Sequence, residues 1–275
     1  MSDLLKKIMH DEIDIPSVPD ISLKVLTLLE DEKCSLKKLE DVIFKDQLLT
    51  TSILKIANAP LYQTGKTINT LADAILSLGL HNLLAIVSIV SLTQQLSNKH
   101  GDALLIKHAM AVCYASSQLS VFVKGVKKEE ALVAGLLHDI GKTILAANAP
   151  EHYKKAKKLM ADEKISGLEA EEEVTGFNHC YVGSALARKW KFPKIYEYVI
   201  KHHHDDRVRR ASLEDLSYED KLCYIVRVAD KMAHDICVYG WKASEKKTAY
   251  LLAVLGIYRE DYDEILEKIK EQDSC

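Results

Sequence analysis

The chain has 275 residues, 48% of them hydrophobic and 28% charged, and a net charge of −3 at neutral pH. That length allows one large domain or two modest ones with a substantial core. The near-balanced charge excludes the basic footprint of a nucleic-acid or anionic-membrane binder.

Eleven glycines and five prolines are few for this length. With long apolar patterns at helical spacing, they point to an all-α protein. The cysteines at 34, 113, 180, 223, 237 and 275 include no CxxC pair, so neither a zinc ribbon nor a thioredoxin motif is indicated. The start MSDLLKKIMHDEID is charged and lacks a signal-peptide apolar region. A reducing, cytoplasmic setting with free thiols is expected. No arginine precedes Arg188, so the first two-thirds of the chain lacks the residue best suited to planar, bidentate phosphate clamps.

Residues 1 to about 100 read as a first helical lobe. Ile15-Pro16-Ser17-Val18-Pro19 is extended. Asp20 or Ser22 can cap a helix facing inward through Ile21, Val25, Leu28 and Leu29. Ser35 opens a helix through Leu36, Leu39, Val42 and Ile43, and Asp46 caps a third with Leu49, Ile53 and Ile56 inward. A fourth runs near Leu71 to Leu78 and breaks at Gly79. Ala74 to Asn98 carries no charge and is long enough to span a bilayer. Gly79, His81 and Asn82 interrupt it, and serines and glutamines dilute it, so a buried helix starting near His81 is expected instead. Asn98-Lys99-His100-Gly101-Asp102 marks the joint to a second lobe, residues 101 to 275.

The second lobe opens with a helix from about Ala103 to Val123, on which His108 shares the apolar face of Val112, Ala115 and Leu119. The stretch Ala131 to Asn148, ALVAGLLHDIGKTILAAN, follows as a second helix. Its first half is apolar nearly all round, which places it in the core, yet it carries His138, Asp139 and Lys142. A buried carboxylate or imidazole without a partner costs several kcal/mol. A metal ion would satisfy the pair, and so would an N-cap or a core hydrogen bond. Ala149-Pro150 then breaks the chain, Glu151 to Lys164 reads as a polar amphipathic helix, and Glu169 to Glu173 starts another. Asn178 caps a helix with His179, Val182, Gly183, Leu186 and Trp190 on one face, where Gly183 permits close approach of a neighbour. Ile195, Val199 and His203 line the next helix, which ends in His202-His203-His204-Asp205. The Arg207 to Arg210 loop adds positive charge. Asp230 lies among Cys223, Val226, Ala233 and Cys237, an unexpected place for an unpartnered acid. Trp241 and a closing helix from about Asp261 to Gln272 complete the chain.

His108, His138, Asp139, His179, His203, His204 and Asp230 thus all fall on apolar helix faces or at helix ends. Imidazole with carboxylate suits Fe, Mn, Zn or Co. Seven ligands exceed one ion but suit two, bridged by Asp139, and such a pair would polarise a phosphate and activate a water. A di-iron redox or oxygen-sensing centre is a further option for a His-rich site.

VAGLLHDIGK resembles the signature of the HD superfamily of metal-dependent phosphohydrolases, and His108, His138-Asp139 and Asp230 match its H…HD…D order. IPSVPDISLKVL, ILKIANAPLYQ and AILSLGL resemble the HDOD (HD-related output domain) family over residues 13 to 235. The resemblance implies an N-terminal helical lobe joined to an HD-type, phosphodiesterase-like helical bundle, and a signalling or regulatory role exerted through a protein partner. HDOD members often lack catalytic residues, whereas this chain keeps the ligands. It also matches the related HD-GYP phosphodiesterases of cyclic di-GMP in HDxGK (His138, Asp139, Lys142), HxxxG (His179, Gly183), a paired histidine (His203, His204) and a later Asp230. It lacks the Gly-Tyr-Pro element after that pair, and Leu104 supplies no carboxylate for a third ion. A regulatory protein with a retained metal site is therefore expected. The alternative is a phosphohydrolase acting on a phosphate-containing small molecule, a nucleotide or cyclic dinucleotide, with Asp139 and Lys142 catalytic.

Overall fold

The computed structural model describes residues 19–31, 34–58, 67–97, 103–205, 216–236 and 245–273. They form fifteen α-helices, and no strand occurs among them. The joint at Asn98–Asp102, the Arg207–Arg210 loop, Cys237 and Trp241 lie outside the described residues.

The first helices are α1 (Asp20–Glu30), α2 (Leu36–Ile43), α3 (Gln47–Ala57), α4 (Leu71–Leu78) and α5 (Leu80–Ser97). Their starts follow local chemistry. The Ser35 and Asp46 side chains accept the backbone N–H groups of Lys38 and Leu49, and Thr70 accepts that of Asp73, each offsetting an otherwise unpaired helix-end donor. Gly79 ends α4 at φ 85°, a conformation that favours glycine. α4 and the following apolar stretch meet at 116°, and no single helix among the described residues is long and apolar enough to cross a membrane.

The second half comprises α6 (Ala103–Ser120), α7 (Lys128–Leu137), α8 (Ile140–Asn148), α9 (Pro150–Glu163), α10 (Gly167–Thr175), α11 (His179–Lys189), α12 (Lys194–His202), α13 (Tyr218–Ile236), α14 (Glu245–Leu255) and α15 (Arg259–Asp273). α6, α7 and α13 pack on one another at the centre, α11 lies across α8 and α12, and α5 reaches both α7 and α8. One buried apolar cluster runs from Val25 to Ile269. α14 was not foreseen in the sequence.

Two differences from the sequence reading matter for the site. The single helix expected over Ala131–Asn148 is two helices, broken at His138-Asp139. Asp139 leaves helical geometry (φ −103°, ψ 16°), and although it occupies the N-cap of α8 its side chain makes no capping bond. The break is tied to close packing. A Cβ on Gly141 would lie 1.9 Å from the His179 carbonyl oxygen, and Gly183 faces Gly141 with its virtual Cβ 3.2 Å from the Gly141 nitrogen. α8 therefore runs backbone to backbone against α11, which a straight continuation of α7 would not allow. The second difference is that α12 stops at His202, which leaves His203 and His204 on the turn that follows it.

Gly141→Ala forces a methyl group into a main-chain carbonyl that cannot swing aside. We expect it to lower stability by at least about 2 kcal/mol, the scale of overpacked cores. Gly167→Ala, whose Cβ would make an ordinary 3.6 Å contact with Met160, is expected to stay within about 1 kcal/mol of the parent. Equilibrium denaturation of the two variants checks both values.

Candidate metal centre

Five segments deliver polar groups to one buried point. The apolar face of α6 brings His108, which lies beside Val112, Ala115 and Leu119, all buried. The α7–α8 break brings His138 and Asp139. The first turn of α11, capped by Asn178, brings His179. The turn after α12 brings His203 and His204, and the inner face of α13 brings Asp230.

Asp139 sits between two groups of donors. Its Oδ2 lies 3.2 Å from His138 Nε2 and 3.5 Å from His108 Nε2, while its Oδ1 lies 3.2 Å from His179 Nε2 and 3.7 Å from His203 Nε2. Asp230 Oδ1 completes the first group, 3.0 Å from His108 Nε2 and 3.6 Å from His138 Nε2. The ligand atoms of His108, His138, Asp139 and Asp230 all lie within 4.8 Å of one another. A second such group joins His179, Cys180, His203 and His204. The structure thus brings together all seven expected ligands. His202, the first histidine of that run, pairs instead with Asp205, its Nδ1 2.7 Å from Oδ2.

The outer nitrogens of three imidazoles are held. His138 Nδ1 lies 2.7 Å from the Gly135 carbonyl, His203 Nδ1 3.0 Å from the Ile200 carbonyl, and His179 Nδ1 2.7 Å from Glu171 Oε2. A carbonyl or carboxylate only accepts, so each Nδ1 carries a proton, and each Nε2 is the ring atom that faces the centre. Glu171 also accepts the His179 backbone N–H. Six buried atoms at the centre face only one another, with no well-formed hydrogen bond: Nε2 of His108, His138, His179 and His203, and Oδ1 of Asp139 and Asp230. An unmet buried polar atom costs about 1–3 kcal/mol, and six at one point form a set that a cation satisfies. The donor set fits a transition metal.

The charge balance agrees. Burial opposes ionisation of Asp139, but His138, Lys142 and His179 hold its carboxyl well below the usual range. Burial likewise opposes ionisation of Asp230, and His234 and His108 override it. His138 is drawn the other way: burial disfavours its charge, yet Asp139 and Asp230 raise its pKa to about 10. Burial lowers His203 to about 4 and pushes His204 well down. Lys142 Nζ lies 2.5 Å from Asp139 Oδ2 and stays charged beside it.

Besides Cys180, which joins the second donor group, two contributors are not singled out by the sequence. Glu171 sits in an acidic run, and nothing in that run marks it as the buried member. His234, one turn after Asp230, lies with Nε2 3.4 Å from Asp230 Oδ1 and its ring 4.8 Å from that of His108. Its i+4 spacing from Asp230 was a usable signal. A cavity of about 350 Å³ opens onto the centre, where His108, Asp139, His204 and Asp230 meet Lys142, with Arg227 and Lys231 on its wall.

A sequence profile of the HDOD domain matches residues 15–206. A crystal structure of an HDOD domain protein from Geobacter sulfurreducens is 24% identical, covers 98% of this chain and 94% of its own, and has a TM-score of 0.69. A protein from Shewanella amazonensis, proposed to be a metal-dependent phosphohydrolase, is 20% identical over 98% of this chain and 95% of its own, also at 0.69. At these identities the likeness is one of fold. An uncharacterized protein of Treponema pallidum is 23% identical over 197 residues, and this chain spans 38% of its length.

A proton and a metal ion compete for His138 Nε2. Because Asp139 and Asp230 hold the proton there up to a pKa of about 10, metal binding at pH 7.5 is expected to release about one proton per protein from this nitrogen. Affinity is then expected to weaken steadily as pH falls. Calorimetric titration with Mn²⁺ or Zn²⁺, in buffers of different ionisation enthalpy, measures both.

Proposed function

The chain belongs to the HDOD domain family, and from that premise we propose that it is a signalling protein which keeps a working HD-type centre for a small phosphoester. One or two divalent transition-metal ions (Fe, Mn, Zn or Co) would be held by His108, His138, Asp139, His179, His203, His204 and Asp230. The observation that carries this reading is the position of Asp139, with one oxygen toward each donor group. Seven donors are too many for a single four- to six-coordinate ion, and two ions would use them all.

When bound, such ions would supply Lewis acidity toward a phosphoryl oxygen and lower the pKa of a water. The chain's own residues do the rest. Lys142 lines the cavity beside Asp139, where its charge would offset that of a phosphate. Arg227 and Lys231 add positive charge on the wall. Glu171 fixes the ring of His179 and so the direction of its lone pair.

A second reading keeps the centre for structure or sensing and routes the output through a protein partner. The missing Gly-Tyr-Pro element after His204 favours it.

The test is purified protein assayed with a phosphodiester and a phosphomonoester chromogenic substrate, beside elemental analysis of the same sample. The proposal expects bound metal and metal-dependent turnover, with both lost in Asp139→Ala and turnover falling at least about 100-fold. Turnover that survives in Asp139→Ala overturns it. Full metal occupancy with no turnover leaves the partner-directed reading.

A further inference from the structure

We propose that the cavity beside the centre selects phosphoesters whose organic part is apolar, and that it is not built to read a nucleobase. This rests on the phosphoester reading above and names the substrate class. At about 350 Å³ the cavity is of ligand-binding size. Beside the donor cluster and Lys142, its lining includes Leu104 and Leu105 of α6, Met160 of α9, Ile165, and Leu251 of α14.

Recognising a nucleobase takes hydrogen bonds to its edge and a ring to stack on. The described lining residues include no Asn, Gln, Thr, Trp or Phe. The hydroxyl of Ser166 is engaged in a capping box, donating to Glu169 Oε2 at 2.8 Å and accepting the Glu169 N–H at 3.2 Å. Glu171 is engaged with His179. Arg227 donates to the Asp205 carbonyl at 2.6 Å and lies over the ring of Tyr224, 5.5 Å from its centre, which diverts its fork from a base edge. Tyr153 is the single tyrosine among the described lining residues, and Lys157 Nζ stands over its ring at 5.7 Å. What this wall offers a ligand is chiefly aliphatic surface, and that favours an alkyl or isoprenoid-like chain attached to the phosphate.

The test is calorimetric binding to the metal-loaded full chain of inorganic phosphate, then ethyl, butyl and hexyl phosphate, then AMP. Affinity is expected to rise about three- to fourfold per methylene until the wall is covered, with AMP binding no more tightly than butyl phosphate. Leu104→Gln and Met160→Gln are each expected to shrink the ratio of hexyl phosphate affinity to inorganic phosphate affinity, a ratio that corrects for any general loss. A flat chain-length series, or AMP binding more tightly than hexyl phosphate, overturns this inference and leaves the metal-centre reading intact. If the metal-loaded protein does not bind inorganic phosphate at all, the phosphoester reading fails and this inference fails with it.

Discussion

A buried carboxylate needs positive charge close by, and the interior of this protein is arranged around meeting that need for Asp139. Its side chain is 6% exposed, at a depth where an unpaired ionised group would be several kcal/mol unfavourable. Lys142 reaches one oxygen, and four imidazole nitrogens surround the two. A second acid, Asp230, adds negative charge rather than relieving it. Asp139, Asp230 and Glu171, set against Lys142, leave a deficit of positive charge that neutral imidazoles cannot make up. Protons drawn onto His138 or metal ions can.

The backbone follows from this requirement. For Asp139 to face His179 and His203 as well as His108 and His138, α7 has to stop and α8 has to leave at a new angle. The new angle presses α8 against α11 at Gly141 and Gly183, where neither position has room for a side chain. Gly135, one turn before the break, likewise lets α7 sit close to α6, with its virtual Cβ 2.7 Å from the Val112 carbonyl. The glycines of this region are consequences of the site's geometry as much as of the fold's.

Much of this was legible from the amino-acid sequence, for a specific reason. His108, His179 and Asp230 are polar residues at positions where helical periodicity calls for apolar ones, and such a misfit shows in one dimension. The caps at Ser35, Asp46 and Asn178 were legible because capping is local. The break at His138-Asp139 was not, because the periodicity of ALVAGLLHDIGKTILAAN continues through it and only contact with α11 interrupts the helix. Glu171 was hidden among Glu169, Glu172 and Glu173, since burial of one member of an acidic run depends on the neighbour it meets. The aliphatic wall of the cavity was equally invisible. Leu104, Met160 and Leu251 come from three distant helices and look like ordinary core residues until they are seen lining one space.

The most direct measurement is anomalous diffraction at the Mn, Fe and Zn absorption edges from crystals of metal-loaded protein. A peak is expected within bonding distance of Asp139 on the side of His108, His138 and Asp230, with a second on the side of His179, His203 and His204 where both donor groups are filled. Crystals grown with these metals that give no anomalous peak within bonding distance of Asp139 would contradict this expectation.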